Sequence, residues 1–211
     1  MRNVICILFA FMVIDQVNAQ FGVRASTNIA NFNVSEELLE EEELGYRVGF
    51  GLGVFYKVNL DENLSFQPEI NYVQQGAKNS GEESGFSYKN EFTFNYIQIP
   101  ILAKYHFGNT DKLSFFVEGG PYVGFGIGKG KVEGCIDGDC SSDESSFGNS
   151  DDDEINNPDF GIQMGVGVNL NSNFSIDIRY VHGFQNLLND DFGDDDFIRN
   201  TAFNIGVGYS F

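Results

Sequence analysis

Apolar and polar residues alternate with a period of two along most of this chain, most cleanly in its last stretch. From Phe203 to Phe211 the odd positions (Phe203, Ile205, Val207, Tyr209, Phe211) form one apolar face, and Asn204, Gly206, Gly208 and Ser210 form a small polar one. This is the pattern of a strand with two unlike faces. Runs of the same kind, bounded by turn residues, predict eight strands at about 20–31, 45–60, 64–77, 89–107, 113–130, 159–170, 174–184 and 201–211. The connectors alternate in length. Asp61-Glu62-Asn63, Gly108 to Lys112 and Asn171-Ser172-Asn173 are tight turns, while the links at 32–44, 78–88, 131–158 and 185–200 are long. The expected fold is therefore all-β, an eight-stranded antiparallel up-and-down transmembrane β-barrel with periplasmic turns and long acidic extracellular loops.

Individual strands sharpen this. In the third, Leu64, Phe66, Pro68, Ile70 and Tyr72 oppose Ser65, Gln67, Glu69 and Asn71; in the seventh, Phe174, Ile176, Ile178 and Tyr180 oppose Ser175, Asp177 and Arg179. The sixth sets Phe160, Ile162, Met164, Val166 and Val168 against Gly161, Gln163, Gly165, Gly167 and Asn169. The fourth changes phase, with Phe92, Phe94 and Tyr96 on even positions and Ile97, Ile99, Ile101 and Tyr105 on odd ones, so a bulge near Tyr96 is expected. Pro100 then falls on the inward face and Pro121 on the outward face of the next strand.

A water-soluble barrel would alternate in the same way with its faces exchanged, and the ionic content of the polar face decides between the two. That face carries Arg24, Arg47, Lys57, Lys104 and Arg179 against Glu69, Glu118 and Asp177, set among Gly, Ser, Asn and Gln. Such a sparse, mixed-sign set suits a closed interior, where the charges pair as an eight-stranded lumen filled by side chains requires. The apolar face then meets outer-membrane lipid, and the interior is plugged.

The ends add the compartment. Met1 to Ala19 has Arg2, an apolar stretch from Val4 to Ile14 and Val17-Asn18-Ala19 ahead of Gln20, which reads as an export signal over 1–19, leaving residues 20–211 as the barrel domain. Gln20 in place of Cys argues against a lipoprotein, and no apolar run is long enough for a spanning helix. The expected location is the outer membrane of a gram-negative bacterium. A strand closing on Phe211 would engage the barrel-assembly machinery. The net charge of −19 speaks against nucleic acid as a partner. The 22 Phe, 9 Tyr and 25 Gly, with no Trp, fit closely spaced strands better than an ordinary soluble enzyme.

Several stretches together resemble the PorT-like outer-membrane β-barrel family. They are Gln20 to Ala25, the block Phe66-Gln67-Pro68-Glu69-Ile70-Asn71-Tyr72 with Gln75 to Lys78, the block from Tyr96 to Tyr105 around Ile99-Pro100-Ile101, Glu118 to Gly124, Ile176 to Tyr180 with Gly183, and Gly208-Tyr209-Ser210-Phe211. The resemblance implies a membrane barrel and, for a few members, a role in protein secretion and gliding. It brings no catalytic motif.

Of the 31 acidic residues, 22 fall in the four long links: six in Glu36 to Glu43, Glu82 and Glu83, nine from Glu133 to Glu154, and five from Asp190 to Asp196. Asp151, Asp152, Asp153 and Glu154 with Asp194, Asp195 and Asp196 are candidate ligands for Ca²⁺ or Mg²⁺, since hard cations take several carboxylate oxygens. The competing and favoured reading is a solvated, self-repelling surface. Asp137 to Asp143 has acidic residues at EF-hand-like offsets, yet Ser142 stands where that loop needs Gly and Gly148 where it needs Glu, so an EF-hand is rejected. Glu36 to Leu44 favours a short helix after Ser35, read as a lid over the barrel mouth.

Cys135 and Cys140, the only cysteines after removal of the signal, have four residues between them and predict a disulfide in an oxidising compartment. A zinc site is poorer, because neither His is near in sequence. His106 and His182 fall toward opposite ends of the barrel, and the hydroxyls of Ser114 and Ser175 are ordinary inward polar groups. The protein is expected to be non-enzymatic and without cofactor, an anchor whose acidic loops bind a partner or cation. Alternatives are a secretion or assembly accessory working with envelope proteins, a small pore, and a lipid-modifying enzyme.

Overall fold

The structure, a computed structural model, describes residues 19–35, 44–83, 85–109, 113–148, 150, 153–187 and 196–211. Residues 1–18 of the expected export signal, residues 36–43 of the expected lid over Glu36 to Leu44, and Asp151, Asp152, Asp194 and Asp195 of the candidate cation ligands lie outside them. The strands are β1 (Ala19–Val34), β2 (Gly45–Asn59), β3 (Leu64–Glu83), β4 (Phe86–Asn109), β5 (Leu113–Gly126), β6 (Gly130–Ile136), β7 (Asp139–Ser145), β8 (Phe147–Gly148), β9 (Ile155–Asn156), β10 (Asp159–Asn169), β11 (Phe174–Gly183) and β12 (Ile198–Ser210).

Eight of them close a ring in the order β3-β2-β1-β12-β11-β10-β5-β4, with β4 returning to β3. Every pair is antiparallel, and the ring is sealed by thirteen facing residue pairs from Gly22 opposite Ser210 to Val34 opposite Ile198. Closure leaves no free edge within the barrel wall. Each of the eight strands corresponds to one predicted from the alternation.

Tight turns join strands at one end for a local reason. The Asp61 Oδ1 accepts hydrogen bonds from the backbone N–H of Asn63 and Leu64, both at 2.7 Å. Asn171 Oδ1 does the same for Asn173 at 2.8 Å and Phe174 at 2.9 Å. A short acceptor side chain thus replaces the missing ladder partner in both turns.

The alternation resolves into an outer apolar and an inner polar surface. Val48, Phe50, Leu52 and Val54 of β2, and Ile176 and Ile178 of β11, point outward and are exposed. Gln67, Glu69 and Asn71 of β3, and Asp177 and Arg179 of β11, are buried within. Rings girdle the outside at two levels: the Phe21–Tyr56 and Phe174–Tyr209 pairs, each 4.8 Å between centroids, near the tight turns, and Phe50–Tyr72 and Tyr180–Phe203 toward the other end. Two aromatic belts bounding an apolar band are what a bilayer demands of a barrel.

The expected bulge at Tyr96 is absent. The registers of β4 against β3 and against β5 run through that position without a shift, from Tyr72 opposite Ile97 to Ala77 opposite Phe92 and from Tyr96 opposite Gly126 to Asn109 opposite Leu113. Even positions of β4 face inward past Tyr96, so Phe94 and Tyr96 are buried lumen residues. The apparent change of phase arises because the lumen is apolar at this level: Val73, Phe94, Tyr96, Ile155 and Leu187 form a core, with Phe32, Phe92, Phe147 and Ile198 packed on it. A shift does occur in β2 against β3, between Tyr46 and Gly51, near Gly76, whose φ of 136° suits glycine. Pro100 is buried inside and Pro121 exposed outside.

The links expected at 78–88 and 131–158 are not simple loops. β3 and β4 continue as a hairpin to Glu83 opposite Phe86. The upper part of β4 then pairs with β6, and β6 with β7, extending the sheet beyond the wall. With 24 residues, β4 is more than twice the roughly 9–11 needed to cross a bilayer. β7 is exposed from Asp139 to Glu144, so no hydrophobic alternation marks it in the sequence.

Candidate functional site

Six inward ionic residues meet in one layer: Arg24, Lys104 and Arg179 against Glu69, Glu118 and Asp177, none more than 6 % exposed. Arg179 is the hub. Its Nη1 and Nη2 donate to the Glu69 carboxylate at 2.8 and 2.9 Å, a bidentate fork, while Nε donates to Glu118 at 2.8 Å and stands 3.1 Å from Asp177. Arg24 pairs with Asp177, its Nε at 3.1 Å, and Lys104 with Glu118 at 3.1 Å. Gln67 and Asn71 complete the shell of Glu69, donating at 2.6 and 2.8 Å. Three cations and three anions cancel, so burial leaves no uncompensated charge here.

The remaining two of the eight ionic residues read from the sequence stand apart. Arg47 donates to Glu91 at 3.1 Å toward the long-connection end, while Lys57 lies in the cavity at the tight-turn mouth. Ten residues of extended β2 separate them, roughly 33 Å at the rise of a strand, so one layer cannot hold both.

The lumen is filled on both sides of the ionic layer. Toward the long connections Gln98 and Gln163 bond to each other at 3.2 Å, and Asp159 accepts from Tyr122 at 3.0 Å and Asn200 at 3.1 Å. The aromatic core around Tyr96 lies over this layer and is roofed by Phe147, Ile155 and Leu187 from the connections. Their backbone is pinned by Asn156 N–H donating to Leu187 O at 2.8 Å and Leu187 N–H to Ile198 O at 2.8 Å.

Outside the wall, β6 and β7 form a hairpin around Asp137 and Gly138, with φ of 50° and 90°, the backbone of a two-residue Asp-Gly turn. Cys135 faces Cys140 across it, their Cα atoms 4.0 Å apart and their sulfurs bonded. The Ser87 N–H and hydroxyl donate to Asp137, tying the turn to β4. Lys129 pairs with Glu144 at 2.9 Å and Lys131 with Glu133 at 2.8 Å, while Asp139 and Asp143 have no ion-pair partner among the described residues.

The described members of the candidate cation set are engaged locally. Glu154 accepts from the Ser146 N–H at 2.6 Å and hydroxyl at 3.0 Å, and these bonds hold its carboxyl below the usual range. Asp153 accepts from Ser150 N–H at 3.0 Å, and Asp196 from the Ser35 hydroxyl at 3.0 Å. The grouping of Glu133 with Cys135 and Cys140 offers no metal ligand set, because the disulfide occupies both sulfurs.

Residues 15–189, well over half of the chain, match the family model described as an outer membrane protein beta-barrel domain. The chain belongs to that family. This outer-membrane barrel is similar to the solved structure of Neisserial surface protein A, with 18 % identity over 92 % of this chain and 99 % of that one and a TM-score of 0.47. It is also similar to Ail of Yersinia pestis, with 16 % identity over 92 % and 97 % and a TM-score of 0.42. The outer membrane enzyme PagL shares 12 % identity over 89 % and 97 %, with a TM-score of 0.46. No curated protein matches the chain. The family places the protein in the outer membrane.

Within this outer-membrane barrel the two histidines occupy opposite ends. His106 lies at the tight-turn end, its Nε2 2.9 Å from Ser65 Oγ and its Nδ1 3.3 Å from the Asn169 amide nitrogen, which also donates to Ser114 at 2.9 Å. With the Asn169 amide nitrogen donating to Nδ1, the protonated nitrogen is Nε2, which donates a hydrogen bond to Ser65 Oγ. His182 stacks beside Tyr180 toward the other end, with centroids 6.2 Å apart. The stapled hairpin was the feature sequence reading missed, although Asp137-Gly138 between Val132–Ile136 and a second extended run is itself a hairpin signal.

Proposed function

We propose that this outer-membrane barrel is a non-enzymatic anchor that holds a rigid acidic sheet outside the cell and engages a cationic partner or divalent cation there. One observation carries the reading: the sheet of β3 and β4 extends past the wall through β4 into β6 and the disulfide-stapled β7, where Asp139 and Asp143 lack ion-pair partners among the described residues. Preorganised surface of this kind lowers the ordering cost of binding. The neutral, side-chain-filled lumen supports an anchor over a pore. Against catalysis, Ser65 is only 1 % exposed and its hydroxyl oxygen accepts a hydrogen bond from His106.

Excising the hairpin Gly130–Ser145 tests the proposal. The shortened chain is expected to insert and to keep the slower or faster unboiled migration of a folded barrel. Surface cross-linking in intact cells should lose the species captured by the full chain. Capture of the same species by both forms would refute the reading.

A further inference from the structure

The tight-turn mouth opens into a cavity of about 510 Å³ whose lining includes Lys57, Lys104, His106 and Gln20. In barrels of this build that mouth faces the periplasm. Its ionisable lining is two lysines, Lys57 and Lys104, with Asp61, Glu62 and His106. Its inner limit is the ionic layer, through Lys104, which is already committed to Glu118 at 3.1 Å and lies 4.4 Å from the centre of the Phe116 ring.

Lys57 differs from every other lysine inside the wall: among the described residues no carboxylate stands within ion-pair distance of it. The two acidic residues at the cavity rim do not supply one. Asp61 spends Oδ1 on its own turn, and Glu62 is exposed beside it. Two of the neutral lining groups are committed elsewhere, Gln67 to Glu69 and Asn169 to Ser114 and His106. What remains is the Lys57 ammonium on a partly enclosed polar wall with room for a solute. A cation so placed lowers its free energy by taking an anion out of the periplasm.

We propose that this chamber binds a small oxyanion of phosphate chemistry, with the Lys57 ammonium as its direct ligand. The phosphate is carried either by a free periplasmic solute or by a phospholipid headgroup at the adjacent leaflet.

The test is calorimetric titration of inorganic phosphate into the folded barrel in zwitterionic micelles. Saturable binding is expected, weakened about tenfold or more by Lys57→Gln through loss of a charge-assisted hydrogen bond, largely retained in Lys57→Arg, and unchanged in Lys89→Gln on the outer sheet. Non-saturating heats, or equal affinity in Lys57→Gln and Lys89→Gln, would overturn the proposal. Should Lys57→Gln fail to refold, amide shifts of the unaltered barrel decide. Phosphate should move Lys57, Ser175 and Ser210, which line the chamber, and shifts confined to Lys89 and Lys131 would count against it. Competition by short-chain phosphatidylglycerol assigns the headgroup as the source, and phosphate binding without such competition assigns the free solute; either supports the site.

Discussion

Replacing Arg179 by Met tests the ionic layer most directly. The guanidinium makes the fork to Glu69 at 2.8 and 2.9 Å and the bond to Glu118 at 2.8 Å, and is 1 % exposed. Without it Glu118 keeps Lys104 and Asp177 keeps Arg24, so Glu69 alone is stranded and the layer goes from neutral to an excess of one negative charge. Breaking a buried ion pair from one side costs about 3–5 kcal/mol. Glu69 retains the amide donors of Gln67 and Asn71, which places the loss near the lower bound, about 3 kcal/mol. Adding Glu69→Gln to Arg179→Met removes the stranded charge and should recover most of that loss, giving an interaction energy of about 2–3 kcal/mol in a double-mutant cycle. Urea unfolding in lipid vesicles, with the folded fraction read from unboiled migration, supplies the four free energies. A cost below about 1 kcal/mol for Arg179→Met, or further destabilisation on adding Glu69→Gln, would refute the reasoning.

Three other outcomes follow from the same geometry. Ile178→Arg, on the exposed outer face of β11, should destabilise the folded barrel in bilayers by about 2–4 kcal/mol, and an unchanged urea midpoint would contradict a lipid-facing side there. Gly206→Val places a side chain against the Arg24 guanidinium; overpacking of about 1–3 kcal/mol is expected in the same unfolding assay, with no effect if Arg24 sits elsewhere. The Glu154 carboxyl is held below its ordinary value by the Ser146 N–H and hydroxyl, so its contribution is present above pH 4.5 and disappears as pH falls through the lowered value. Hydrogen exchange at the Ser146 amide should therefore stay protected at neutral pH and accelerate, relative to intrinsic rates, only in acid; equal protection in Glu154→Gln would disprove the linkage.

Most of the barrel was legible because a wall between lipid and a polar interior imposes opposite demands on successive residues. Ile176, Asp177, Ile178 and Arg179 could take no other arrangement, and the matching of Glu69, Glu118 and Asp177 with Arg24, Lys104 and Arg179 followed from the need to cancel buried charge. Legibility ended where that contrast ended. Phe92, Phe94 and Tyr96 look misplaced when the lumen is assumed polar throughout, and fall into register once its outer third is recognised as an aromatic core. β7 lies exposed from Asp139 to Glu144, where Asp, Ser and Glu are as acceptable on one side as on the other. Arg47 and Lys57 share a face with the ionic layer but lie at opposite ends of β2, a distinction that facing alone does not make.

β3 and β4 keep one register from Leu64 opposite Tyr105 to the Glu83–Phe86 tip, with a gap only at Glu69 and Ile70 beside Pro100, so the part outside the wall is mechanically connected to the bilayer. Tension applied at the tip along the strands passes down both covalent chains into the wall, where the rungs to β2 and β5 bear it in shear together, whereas a flexible tether would go slack. Loads from a moving or tethered partner would thus reach the membrane before the appendage itself gives way.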